Sequence, residues 1–352
     1  MNGSHYLRSL SASVFLLIAG HATAAEPVQL GNLKAEPGQA VSGYLQIAAL
    51  HDAGAELPVS IIHGARPGPT LALIAGTHGY EYPGIIALQR IRQSVNPADV
   101  SGTVLLVHIA NPPSFYGRTI YNSPADGKNL NRVYPGKADG TLSERIAYAI
   151  TREVIEQADF LVDLHAGDGN EALRPYIYLP ETGQAELDAA SRGLAIAFGL
   201  DHIVLDKGRA LPPEASLYTD QTAISRGIPA ITTETGQLGL SDDYWVSLAE
   251  DGILNVMRHL DMLPGAVTPN EGVVWLEDYE VIRASSNGIF RPAVRDGYAV
   301  AANGLLGELV DAFGERIEEI RSPFAGVVNY VLGTPPVSAG EPVAMVSKLR
   351  SE

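Results

Sequence analysis

Four apolar runs of strand length recur along this chain, and each runs into residues able to do chemistry. Leu71 to Ala75 breaks at Gly76 and leads to His78 and Glu81. Thr103 to Ile109 leads to Asn111-Pro112, Phe160 to Val162 to Asp163-Leu164-His165, and Ile228 to Thr233 to Glu234 and Gly236. Helical patterns lie between them. One opens at Pro83 with Ile85, Ile86 and Leu88 on its apolar face; others cover Ser143 to Gln157 and Glu186 to Gly199. Strands that alternate with helices predict an α/β domain built on a mainly parallel or mixed sheet. Open sheets of that kind bind ligands off the carboxyl ends of their strands. The polar residues named here all sit at such ends, so they are expected to converge.

Convergence gives those residue types a meaning that none has alone. A His-x-x-Glu pair such as His78 and Glu81 is common in solvated turns. With His165 from another strand end it completes two imidazoles and one carboxylate, the ligand set of hydrolytic zinc sites, with the fourth position left to water. Such an ion acidifies water and polarises a carbonyl, and a carboxylate beside it is needed to move protons. Glu234 is free for that task; otherwise it serves as an acid at a helix N-terminus. His108 lies within a strand pattern and is expected to be a core residue with a satisfied hydrogen bond. The loop from Arg118 to Gly136 carries two arginines and three asparagines. A guanidinium there matches a carboxylate through two parallel hydrogen bonds, Asn131 beside Arg132 adds a directional one, and a second arginine suits an oxyanion.

The two ends of the chain read differently. Arg8, the apolar Leu10 to Gly20 and the small residues Ala22-Thr23-Ala24 have the form of a secretory signal peptide cleaved after Ala24 or Ala25. An exported, periplasmic or secreted protein is expected, without a stable membrane span. There is no cysteine, which rules out thiolate metal ligands and disulfides. A net charge of −16 argues against nucleic acid as a partner. After Pro264 the texture becomes short alternating runs cut by glycine and proline, which predicts a small all-β barrel-like domain. The expected division is a signal peptide over 1–25, a hydrolase domain over 26–265 and a β-domain over 266–352. Ser322 to Val328 with Gly340 to Val343 looks like the half-barrel of biotinyl and lipoyl carriers, but the lysine such carriers modify is missing.

His78-Gly79-Tyr80-Glu81, Asn111-Pro112, Asn129-Leu130-Asn131-Arg132, Asp163-Leu164-His165 and Glu234-Thr235-Gly236 together resemble the succinylglutamate desuccinylase/aspartoacylase family, a branch of the zinc carboxypeptidase superfamily. The resemblance implies a zinc-carboxypeptidase-like mixed sheet flanked by helices, followed by the β-domain. It implies one zinc per chain on His78, Glu81 and His165, with Glu234 activating water and protonating the leaving amine. It further implies Arg118 polarising the scissile carbonyl and Asn131 with Arg132 gripping an α-carboxylate. Asn129 stands where many relatives carry an aspartate that orients a zinc-bound histidine. The arginine with which aspartoacylases bind a side-chain carboxylate has no match, Arg174 and Arg226 included.

The function expected is a zinc-dependent amide hydrolase that cleaves N-acyl amino acids or related small amides next to a free carboxylate. An exported metallocarboxypeptidase acting on short cell-wall peptides would use the same ligands, and an inactive, zinc-stabilised binding protein is the reading from a different class. The oligomeric state is open.

Overall fold

The four strands that carry the chemistry are neighbours in one sheet. Ala230–Glu234, Phe160–His165, Arg66–Ala75 and Ser101–Val107 lie side by side in that order, all parallel. Their carboxyl ends therefore emerge at one edge. The computed structural model of the chain describes residues 26–207, 212–270 and 272–350. The leader-like segment before Glu26 lies outside the described residues, and so does its cleavage point.

Alternation explains why these strands read as unbroken apolar runs. Leu71, Leu73 and Ala75 of Arg66–Ala75 pack into one core layer, while Ala72 and Ile74 enter the layer on the opposite face. A strand covered on both sides has no polar face to show. Helices Tyr82–Ser94, Ala185–Phe198 and Asp243–His259 cover the first face through Ile85, Leu88, Leu194, Phe198, Ile253 and Val256. Leu142–Glu153 covers the second through Leu142, Ile146 and Ile150. Each such Leu or Ile, taken fully out of water, contributes about 1.5–3 kcal/mol.

The sheet continues well past the four central strands. On one side it gains Ala55–His63 and Gln39–Ile47, both antiparallel. On the other, Tyr176–Glu181 runs antiparallel to Ala230–Glu234, and His202–Lys207 follows it in parallel. The strand after that, Val274–Arg283, comes from the C-terminal segment and pairs in parallel with His202–Lys207. Pro342–Leu349 and Gly326–Leu332 extend the same sheet further. The rest of the segment forms a separate antiparallel sheet of Gly288–Pro292, Leu305–Val310, Arg316–Arg321 and Pro336–Val337. It packs over its own core around Phe290, Leu306, Leu309 and Val328. The C-terminal segment is thus all-β, as its texture implies, and part of it is hydrogen-bonded into the α/β sheet. Among the described residues no helix is long and apolar enough to cross a membrane.

Candidate active site

The turn that presents the first imidazole is set by two glycines. Gly76 takes φ +71° where Arg66–Ala75 ends, a conformation that side chains rarely adopt. At Gly79 a Cβ would stand 2.4 Å from the carbonyl oxygens of both Ser114 and Thr119, so only glycine lets the loop pass. Asn111, fully buried, braces the turn by donating to Thr77 O at 3.2 Å while its Oδ1 accepts from Ser114 N. The helix then starts at Tyr82 with proline in its first turn. Glu81 holds the N-cap position, but its side chain makes no cap bond. The carboxylate is turned toward the imidazoles instead.

Those imidazoles are held from behind. His78 has Nδ1 at 2.8 Å from Glu81 Oε1 and Nε2 at 3.2 Å from Asn129 Oδ1. His165 has Nδ1 at 3.0 Å from Glu81 Oε2 and Nε2 at 3.0 Å from Asp163 Oδ2. The outer acceptors place a proton on each Nε2 and aim the Nδ1 lone pairs inward. One ligand atom from each of His78, Glu81 and His165 lies within 4.8 Å of the others, and all three residues are buried. No hydrogen-bond donor reaches Glu81 Oε2 with proper geometry among the described residues. Two lone pairs and a carboxylate facing one point make a donor set that a divalent cation neutralises, so the residues fit zinc.

Glu234 is delivered by register. It pairs with His165 across the parallel strands Ala230–Glu234 and Phe160–His165, and the backbone N–H of Thr235 donates to His165 O at 2.9 Å. Glu234 Oε2 has no partner among the described residues. Burial pushes its carboxyl well above the usual range; His165 opposes this, and the charges of Glu81, Glu171 and Asp163 add to it.

A cavity of about 310 Å³ opens over this centre. Asn129, Asn131, Arg132 and Glu234, all named from the sequence, line it. Asn131 Oδ1 accepts from Thr219 N at 2.9 Å and from Thr219 Oγ1 at 3.2 Å, which leaves the Nδ2 amide as its donor. The Arg132 guanidinium rests over the Tyr218 ring at 4.6 Å. Arg118 is placed elsewhere. It terminates the short helix Pro112–Gly117 at φ +51°, is exposed beside Tyr82 and does not line the cavity. The structure therefore corrects its expected place at the scissile carbonyl: the left-handed cap turns this residue outward. Arg174 and Arg226 lie outside the cavity too, paired with Asp201 and Glu156.

Several cavity residues escaped the sequence reading. So did Asp163, which lies behind His165 rather than in the cavity, although its position two before His165 on a strand puts both side chains on the same face. Tyr121, Glu171, Tyr176, Tyr178, Tyr279, Arg283 and Tyr330 form much of the remaining wall, three of them from the C-terminal segment. Isolated tyrosines and a lone arginine on distant strands leave no pattern along the chain.

Comparison with known proteins gives a consistent result. Residues 67–260 match the model of the succinylglutamate desuccinylase/aspartoacylase catalytic domain. The N-α-acetyl-L-2,4-diaminobutyric acid deacetylase of Halomonas elongata is 27% identical over 318 residues, covering 87% of this chain and 91% of that protein. A product-bound structure of the ectoine utilization protein EutE (DoeB) from Ruegeria pomeroyi is 27% identical with a TM-score of 0.80, covering 92% of this chain and 98% of that one. A succinylglutamate desuccinylase/aspartoacylase from Rhodobacter sphaeroides is 25% identical with a TM-score of 0.79, covering 89% and 96%.

Proposed function

The chain belongs to the succinylglutamate desuccinylase/aspartoacylase family, and on that premise we propose that it is a zinc-dependent deacylase cleaving small N-acyl amino acids at an amide next to a free carboxylate. The observation that carries this reading is the meeting of His78 Nδ1, His165 Nδ1 and the Glu81 carboxylate at one point, with Glu234 beside them. The related Halomonas deacetylase is named for a substrate of this general kind, an acetylated amino acid.

His78, Glu81 and His165 would hold the ion. Bound there, zinc supplies Lewis acidity, which brings water to a pKa of roughly 7 and polarises a carbonyl. The chain's own groups do the rest. Glu234 accepts a proton from the attacking water and passes it to the amide nitrogen, which departs as the amine. Burial raises its carboxyl above the usual range, which makes the ionised form a stronger proton acceptor. Arg132 and the Asn131 amide bind the α-carboxylate and so fix which carbonyl faces Glu234. Asn129 and Asp163 keep the imidazoles from rotating.

In this reading residues 26–265 carry the hydrolytic centre and residues 266–352 supply Tyr279, Arg283 and Tyr330 to one wall. Export rests on the leader-like residues 8–24, and N-terminal sequencing of secreted protein tests it. The deciding experiment is metal analysis joined to an assay of acetate release from Nα-acetyl amino acids. About one zinc per chain, activity lost to a chelator and activity restored by zinc are expected. Full activity in metal-free, folded protein overturns the reading.

A further inference from the structure

The hydrolytic centre leaves the Glu171 carboxyl of the cavity wall without a task. Glu171 lines the wall from the short strand Glu171–Leu173, which pairs with Gly326–Leu332. Its Oε1 accepts from the Tyr121 hydroxyl at 2.7 Å and its Oε2 from the Asp168 backbone N–H at 3.1 Å. One donor on each oxygen leaves each a free lone pair. No ion pair with Lys, Arg or His involves Glu171 among the described residues.

The carboxylate is fixed in place. Tyr121, which holds it, packs its ring edge-on against the His78 imidazole at 5.9 Å, and its backbone N–H donates to Asp168 Oδ2 at 3.2 Å. Asp168, fully buried, also takes the Gly169 N–H. Burial pushes both carboxyls upward, Glu171 and Asp168 alike, and the Glu81 charge adds to the shift in each. The His78 imidazole opposes the shift in both, but forms no ion pair with either carboxyl. Tyr176, Tyr178, Tyr279 and Tyr330 line the same cavity.

A buried carboxylate fixed by two hydrogen bonds, in a cavity lined by tyrosines, suits an ammonium group. The charge-assisted hydrogen bond fills its remaining lone pairs, and the ring faces attract the same cation. Arg283 is the opposing candidate, since it lines the cavity and would favour an acidic side chain. It is exposed, however, and its Nη1 is engaged by Gly340 O at 2.8 Å.

We propose that Glu171, positioned by Tyr121, determines specificity by binding a cationic substrate side chain, so that the substrates are Nα-acyl amino acids ending in an ammonium group. This rests on the deacylase reading of the same cavity and adds the side-chain class to it.

The test compares Nα-acetyl-L-ornithine, Nα-acetyl-L-norvaline and Nα-acetyl-L-glutamate on the zinc-loaded enzyme. The ornithine compound should have the highest kcat/KM, by about tenfold or more, as expected of a hydrogen-bonded charge pair in a dry site. Glu171→Gln should lower kcat/KM for it at least tenfold further than for the norvaline compound, mostly through KM. Glu171→Asp should keep part of the preference. A wild-type preference for norvaline or glutamate, or an equal loss on all three compounds in Glu171→Gln, overturns the proposal. Calorimetry with free ornithine, norvaline and glutamate separates this from failure of the deacylase reading. Preferred binding of ornithine by a protein that hydrolyses none of the compounds supports the Glu171 subsite and overturns the deacylase. An active enzyme that binds the three alike does the reverse.

Discussion

Asp163 and His165 project from the same face of one strand, and Asp163 Oδ2 receives the His165 Nε2 proton at 3.0 Å. Neither side chain has appreciable exposure. The pair converts the pleat of a strand into control over which imidazole nitrogen faces the proposed ion. Asp163→Asn should keep the fold and lower zinc affinity about 10- to 100-fold, the usual effect of removing a charge behind a ligating histidine. Competition with a chromogenic chelator measures it. Unchanged affinity would remove Asp163 from the account of the centre.

Glu234 Oε2 makes no hydrogen bond among the described residues, and Glu234 is not one of the three residues whose ligand atoms converge. Glu234→Gln is therefore expected to retain about one zinc per chain. Turnover should fall about 10²- to 10⁴-fold, the range for loss of a general base. Metal content and kcat on one preparation distinguish this from a disrupted centre, in which zinc and activity disappear together.

The two arginines of the Arg118 to Gly136 loop should separate cleanly. Arg132 lines the cavity and Arg118 does not. Arg132→Ala should raise KM by about tenfold or more, because a bidentate partner for the substrate carboxylate is removed. Arg118→Ala should leave kcat within about twofold, as surface substitutions away from a site do little. A collapse of kcat in Arg118→Ala would mean that this side chain swings into the cavity during turnover.

His108 supplies a stability prediction. Its Nε2 bonds Ser60 Oγ at 2.8 Å, while its Nδ1 is buried without a partner among the described residues. Burial, with the Arg92 charge adding to it, draws its pKa down to about 4. In the unfolded chain histidine titrates near 6.5, so below that pH the unfolded state binds the proton first. Stability present at neutral pH is lost as pH falls from about 6.5 toward 4, by about 2 kcal/mol at pH 5. Chemical denaturation at pH 7.5 and pH 5 should show a smaller drop for His108→Gln than for the wild type. Equal drops would assign the acid sensitivity to other groups.

The neighbouring strands were legible because they are buried on both faces. Leu71 to Ala75 and Phe160 to Val162 carry unbroken apolar signals, and glycine or polar residues mark where each gives out. His78, Glu81, His165 and Glu234 could be named together because the carboxyl edge of a parallel sheet gathers such ends. Boundaries shifted where backbone pairing continued past the apolar residues: Phe160–His165 runs through its polar tip, because register with Ala230–Glu234 holds it extended. What lay beyond reach was long-range pairing. Nothing in the short runs after Pro264 distinguishes a strand that joins the α/β sheet, such as Val274–Arg283, from one that closes a separate sheet, such as Leu305–Val310. The cavity wall from Tyr279, Arg283 and Tyr330 depends on that pairing; the outward place of Arg118 depends instead on the left-handed cap of Pro112–Gly117, which its sequence does not announce.

Val274–Arg283 is seamed to His202–Lys207 on one flank and to Pro342–Leu349 on the other. Selectivity and architecture are consequently welded together here. A chimera that borrowed its C-terminal portion from a relative would have to match a backbone ladder as well as a binding wall. A truncation before Val274 would bare the raw rim of His202–Lys207, inviting chain-to-chain stacking before any question of catalysis arose.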